Sequence, residues 1–213
     1  MSENIDKIIY INLEKRTDRR TEIENELAKF ELPYERFNAI EYKGPYNKSY
    51  SDIKGAIGCG YSHLQVLKIA KERGYKNILI LEDDFTFLVS KEEFENQMTK
   101  LFNDVGDFDV CMLSFNSQKE EPVLGKDYLT RVLEAYSGAA YIVNNHYYDE
   151  IIKLFEDRLP KLIGTGMHWL YAIDTAWGVL QQKDKWYRFN TRTGKQRPGY
   201  SDNMLCHISE TTF

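Results

Sequence analysis

Cysteine is scarce in this 213-residue chain, and the three present, Cys59, Cys111 and Cys206, are widely spaced with no CxxC pair. Neither a disulfide framework nor a zinc site is indicated, and a reducing compartment is the simpler setting. No run of about 18 apolar residues occurs, and the opening MSENIDKIIYINL has neither a basic n-region nor a long apolar h-region. The expectation is a soluble chain without a membrane span, resident in the cytoplasm. An excess of basic residues is also missing: the formal net charge is -5, which argues against broad binding to nucleic acid or to anionic membranes. There is no glycine-rich phosphate loop of the GxGxxG or Walker type, no internal repeat and no Gly/Ser linker.

What is there suits one α/β domain over residues 1–213, with 42% hydrophobic and 29% charged residues. The Ile-rich run at residues 7–13 reads as a buried strand. A helix from Asp18 carries Ile23, Leu27 and Phe30 on one stripe and stops before Pro33. A strand at 34–39, an exposed loop at 41–54, a helix at 58–73 and a strand at 77–81 follow. Ser90 and Glu93 form a capping box for a helix from Lys91. Strands are expected near 109–114, 130–135 and 139–143, then a helix capped by Asn145. From Asp184 the chain reads as irregular apart from a strand at 186–190. Alternating strands and helices imply a mostly parallel sheet flanked by helices, with ligands beyond the carboxyl ends of the strands.

Two local features carry chemistry. Glu82, Asp83 and Asp84 follow the apolar run ILIL. Side chains alternate along a strand, so Glu82 and Asp84 should share a face while Asp83 points away. Crowded carboxylates repel unless a hard cation or strong donors neutralise them, and the competing reading is a solvated turn. The second feature is INLEKRTDRR at 11–20. Its guanidinium groups suit phosphate oxygens, or else pair with the nearby acids at a solvated helix start.

These stretches, in order with GAIGCGYSHL at 55–64, ILILEDDF at 78–85, SGAAYIVNN at 137–145, IDTAW at 173–177 and QRPGYSD at 196–202, resemble glycosyltransferase family 25. The resemblance covers nearly the whole chain. It implies a GT-A type fold, a UDP-sugar donor, most often UDP-galactose with UDP-glucose or a UDP-N-acetylhexosamine as the alternatives, a Mn²⁺ or Mg²⁺ ion, and an inverting transfer to a glycan or protein acceptor. Asn12, Arg16, Arg19, Ser62, His63, Asp83, Gln196 and Asp202 are then expected at the donor, with His63 alternatively a satisfied helix histidine. Glu82 and Asp84 are expected to hold the metal, with His207 as a ligand from the tail or else a surface histidine. Asp174 is expected to be the base or a helix N-cap, and Trp177 a sugar platform or a core residue. A silent sugar-nucleotide-binding domain and a nucleotidyltransferase or phosphohydrolase are the competing readings.

Overall fold

A computed structural model of the chain describes residues 4–201 and 206–208. The chain begins with β1 (Lys7–Asn12), α1 (Thr17–Lys29), β2 (Glu35–Asn38), α2 (Lys54–Glu72) and β3 (Asn77–Glu82). Then come β4 (Phe85–Phe87), α3 (Lys91–Thr99) with a π-helical extension over Lys100–Val105, β5 (Val110–Met112), β6 (Asn116–Pro122), β7 (Leu129–Tyr136) and β8 (Ala140–Asn144). A short 3₁₀ turn leads into α4 (Tyr148–Thr165). The short helices α5 (His168–Tyr171), α6 (Ile173–Ala176) and α7 (Gly178–Gln181) precede β9 (Trp186–Phe189), β10 (Gly194–Gln196), β11 (Gly199–Ser201) and β12 (Cys206–Ile208).

Eight strands form one sheet in the order β2-β1-β3-β8-β5-β9-β7-β6. All but β8 and β7 point the same way, so the sheet is mostly parallel by direction, as expected. The alternation of β3 divides the core in two. Ile78 and Ile80 face the cluster that α2 and α4 complete, while Leu79 and Leu81 face the cluster of α1 and α3. All four are fully buried, and each contributes roughly 1.5–3 kcal/mol relative to exposure.

Several boundaries differ from expectation. α2 starts at Lys54, inside the stretch expected to be loop. Asn145 is no cap: it lies within the 3₁₀ turn, and neither that turn nor α4 has a side-chain cap bond. Ser90 does cap α3, accepting the Glu93 N–H at 3.2 Å. The edge strand β6 was not visible in sequence because its residues, NSQKEEP, are largely exposed and have no apolar alternation. The segment after Asp184, expected to be irregular beyond one strand, holds four strands among the described residues. Among the described residues no helix is long and apolar enough to cross a membrane.

The start of α2 is held close to the chain leaving β2. A Cβ on Gly58 would lie 2.4 Å from the Ile40 carbonyl oxygen, so only glycine lets the helix approach that segment. One turn later Ser62 Oγ donates to the Gly58 carbonyl at 2.7 Å and accepts the Ile40 N–H at 2.8 Å. Gly58→Ala should therefore destabilise the fold by about 1–3 kcal/mol, although alanine is the better helix former. Urea denaturation checks this, and an unchanged or higher midpoint would contradict it.

Candidate active site

β3 ends at Glu82, and Asp83 and Asp84 lie in the turn that follows, where Asp84, expected to share a face with Glu82, instead shares Arg19 with Asp83. Glu82 falls on the α2 face, where its Oε1 lies 3.1 Å from His63 Nε2 and 3.4 Å from Cys59 Sγ. Asp83 falls on the α1 face. Its Oδ2 accepts from Asn12 Nδ2 at 2.8 Å and its Oδ1 from Arg19 at 2.9 Å. Asp84 Oδ2 shares the same Arg19 nitrogen at 3.1 Å. The antiparallel pair β4–β10 sets Gln196 opposite Phe85 and brings its amide within 3.5 Å of Glu82 Oε2. That pairing needs Gly194, where an added Cβ would stand 2.2 Å from the Phe85 ring.

The electrostatics of the cluster are unbalanced. Burial raises the Asp84 carboxyl, and the Glu82 charge adds to this against the opposing pull of Arg19, so it reaches about 7. Asp83 is also raised, by burial first, with Arg19 opposing. Burial works against the Arg19 charge too, but Asp84 and Asp83 outweigh it. Glu82 is held below the ordinary range because the His63 hydrogen bond and charge outweigh its burial. Asp84 Oδ1 is buried without a hydrogen-bond partner. An orphaned carboxylate oxygen of this kind costs of order 1–3 kcal/mol unless something binds it, and a hard cation is the matching chemistry.

Two cavities meet at this cluster. The first, about 490 Å³, runs between the end of β1 and the start of α2 and is lined by Lys15, Arg19, Tyr42, Lys54, His63 and Asp84 among others. The second, about 430 Å³, is lined by Ser137, Gly138, His168, Asp174, Thr175 and Arg197 among others. Glu82, Asp84, Arg19 and Gln196 line both. Asp174 thus shares the second cavity with Glu82 and Asp84. It does not cap its helix: α6 has Ala172 at the N-cap position and no side-chain cap bond. Its Oδ2 instead accepts the Ser137 N–H at 3.3 Å. Burial raises its carboxyl, with the Ser137 N–H opposing. Ser137 itself has φ 89°, a left-handed conformation costing of order 1–3 kcal/mol in a residue other than glycine.

The residues expected at the site divide into three groups. Glu82, Asp83, Asp84, Arg19, Ser62, Gln196, His63 and Asp174 line the cavities. Asn12 is buried outside the cavity lining and committed to Asp83, the Arg16 carbonyl and Arg36, while Ser62, on the wall of the first cavity, gives its hydroxyl to the backbone of 40 and 58. Asp83 is likewise engaged by Asn12 and Arg19, and Arg16 forks onto Asp18 at 3.0 and 2.8 Å. His207 is exposed on β12, its ring edge-to-face with Tyr200 at 5.5 Å, and Asp202 lies outside the described residues. Trp177 is a core residue and not a platform. It is 0% exposed and donates its indole N–H to the Ala135 carbonyl at 2.9 Å.

Three participants were not anticipated. Arg197 donates to the Asp83 and Phe85 carbonyls, and its own N–H binds the Asp84 carbonyl, which ties the tail to the acidic turn. Ser137 and Cys59 are the others. The spacing of Cys59 and His63, one turn apart on a helix, was the signal available for the last.

A mixed α/β sheet gathers three carboxylates, two guanidinium groups and two joined cavities beyond the ends of its parallel strands, where ligands of such sheets bind. The chain belongs to glycosyltransferase family 25, whose model, described as glycosyltransferase family 25 (LPS biosynthesis protein), matches residues 5–167. It is similar to procollagen galactosyltransferase 2 of Mus musculus, with 29% identity over 119 residues, 47% of this chain and 18% of that protein. It is also similar to a glycosyltransferase 25 family member of Anopheles gambiae, with 24% identity over 184 residues, 75% of this chain and 30% of that one. The chain therefore spans less than a third of either relative. Among solved structures, A197 from STIV aligns with a TM-score of 0.48 and 12% identity, covering 97% of this chain and 95% of that one.

Proposed function

We propose that residues 1–213 form a glycosyltransferase domain that moves a hexose, galactose in the first instance, from a UDP-sugar to a hydroxyl of a glycan or of a protein, with inversion. The observation that carries this reading is the unpartnered, buried Asp84 Oδ1 at the junction of the two cavities. It supports a divalent ion, Mn²⁺ or Mg²⁺, held by Asp84 and Glu82. When bound, the ion neutralises the charge that develops on the departing diphosphate.

The first cavity takes the nucleotide, with Lys15, Lys54 and Arg19 on its walls to meet phosphate oxygens. The second takes the acceptor. Asp174 there receives the proton of the attacking hydroxyl, and burial supports this by making its carboxyl a stronger base than an exposed aspartate. Tyr50 and Trp169, 54% and 46% exposed, meet edge-to-face at 4.7 Å next to Ser51 and His168 of the cavity wall. They offer an aromatic surface for the acceptor sugar. The names of the galactosyltransferase relatives support galactose as the first sugar to try.

Calorimetry of UDP binding tests the ion directly. Binding in Mn²⁺ should be lost in excess chelator, and equal affinity in both would overturn the assignment of Asp84 and Glu82.

A further inference from the structure

Cys59 and His63 stand at i and i+4 of α2, so their side chains share one face of the helix. Glu82 arrives at that face from the end of β3. The three ligand atoms, Cys59 Sγ, His63 Nε2 and a Glu82 carboxylate oxygen, all lie within 4.8 Å of one another. Glu82 Oε1 is 3.1 Å from the His63 nitrogen and 3.4 Å from the Cys59 sulfur. In tetrahedral zinc sites, with about 2.0 Å to nitrogen or oxygen and about 2.3 Å to sulfur, neighbouring ligands sit roughly 3.3–3.5 Å apart. The two distances from Glu82 are already close to that spacing, and the third, between sulfur and nitrogen, is no more than 4.8 Å.

Two further features fit a metal site. His63 Nδ1 lies 2.8 Å from the Tyr141 hydroxyl, and both residues are fully buried. An outer partner of this kind fixes a ligating histidine so that its other nitrogen is presented. Gly138 backs the triad: a Cβ there would be 3.4 Å from Glu82 Oε1 and 3.5 Å from His63 Cε1. All three candidate ligands line the first cavity, so a fourth position faces open space.

We propose that Cys59, His63 and Glu82 bind Zn²⁺ in an open three-ligand site, separate from the hard-cation position at Asp84 and sharing only Glu82 with it. A thiolate–imidazole–carboxylate set selects a borderline-soft ion over Mg²⁺ or Mn²⁺, and binding releases the Cys59 thiol proton. The site does not depend on the transfer reaction and is tested without any sugar donor.

The test is a titration of metal-stripped protein with Co²⁺, followed by its thiolate-to-metal charge-transfer absorption. The expected result is one equivalent bound with that band, insensitive to excess Mg²⁺ and abolished by Zn²⁺. Cys59→Ser should remove the band. Tyr141→Phe should keep it while weakening affinity about 10- to 100-fold. Cys111 is sealed in the core, so Cys206 is the competing sulfur. Cys206→Ser should leave the band intact, which decides the matter even should Cys59→Ser fail to fold. Absence of the band in the unsubstituted protein, its loss in Cys206→Ser, or its survival in folded Cys59→Ser would each overturn the site.

Discussion

Asp174→Asn is expected to lower kcat by about 100- to 10,000-fold, the usual contribution of a positioned base, while UDP affinity stays unchanged. Asparagine keeps the shape and can still accept the Ser137 N–H through its carbonyl oxygen, so the fold should persist. The pH profile separates a base from a mere contact. Burial raises the Asp174 carboxyl, and only its deprotonated form accepts the acceptor's proton. The kcat/KM of the unsubstituted enzyme should therefore fall on the acid side, through a pKa above that of an ordinary aspartate, and Asp174→Asn should lack that limb. A variant that loses UDP binding but keeps normal turnover per bound donor would make Asp174 a donor contact.

The second large effect belongs to Asp84. Removing its charge should weaken UDP binding in Mn²⁺ by about 30-fold or more, equivalent to about 2 kcal/mol. Stability should move the other way. The folded pKa is raised from 3.8 to about 7, so the native state holds this proton more tightly than the unfolded chain does. The resulting stabilisation is fully present below pH 3.8 and is lost as pH rises through about 7. At about pH 8 without metal the ionised carboxylate therefore opposes folding. Asp84→Asn should raise the melting temperature there by about 2–8 °C, for a gain of about 1–2 kcal/mol after the lost Arg19 pairing is allowed for. Mn²⁺ should stabilise the unsubstituted protein and leave Asp84→Asn nearly unmoved. A lower melting temperature for the metal-free variant would mean that Arg19 already satisfies this carboxylate.

Much of this site was legible because one strand carries it. The run ILIL reads as a buried strand, and its period of two correctly sends Glu82 and Asp83 to opposite faces. The partners were harder to see. Gln196 and Arg197 reach the acids through β4 and β10, strands of three residues that are too short to show a period. Asn12 and Ser62 fall within recognisable motifs, but only the fold shows that their polar atoms serve neighbouring chain segments. The cysteine count pointed away from zinc because no CxxC is present, yet a helix makes Cys59 and His63 neighbours four residues apart. For Asp174, helix capping and base chemistry ask for the same residue type, and the Ser137 contact came only with tertiary structure.

Metal-assisted sugar transfer by this domain is tested by release of UDP from a panel of UDP-sugars, with and without Mn²⁺, and with and without simple glycosides as acceptors. Release should depend on Mn²⁺, run fastest with a UDP-hexose, with UDP-galactose tried first, and be accelerated by acceptor. Release that is indifferent to Mn²⁺, or no turnover of any UDP-sugar by a folded protein that still binds UDP, would contradict it.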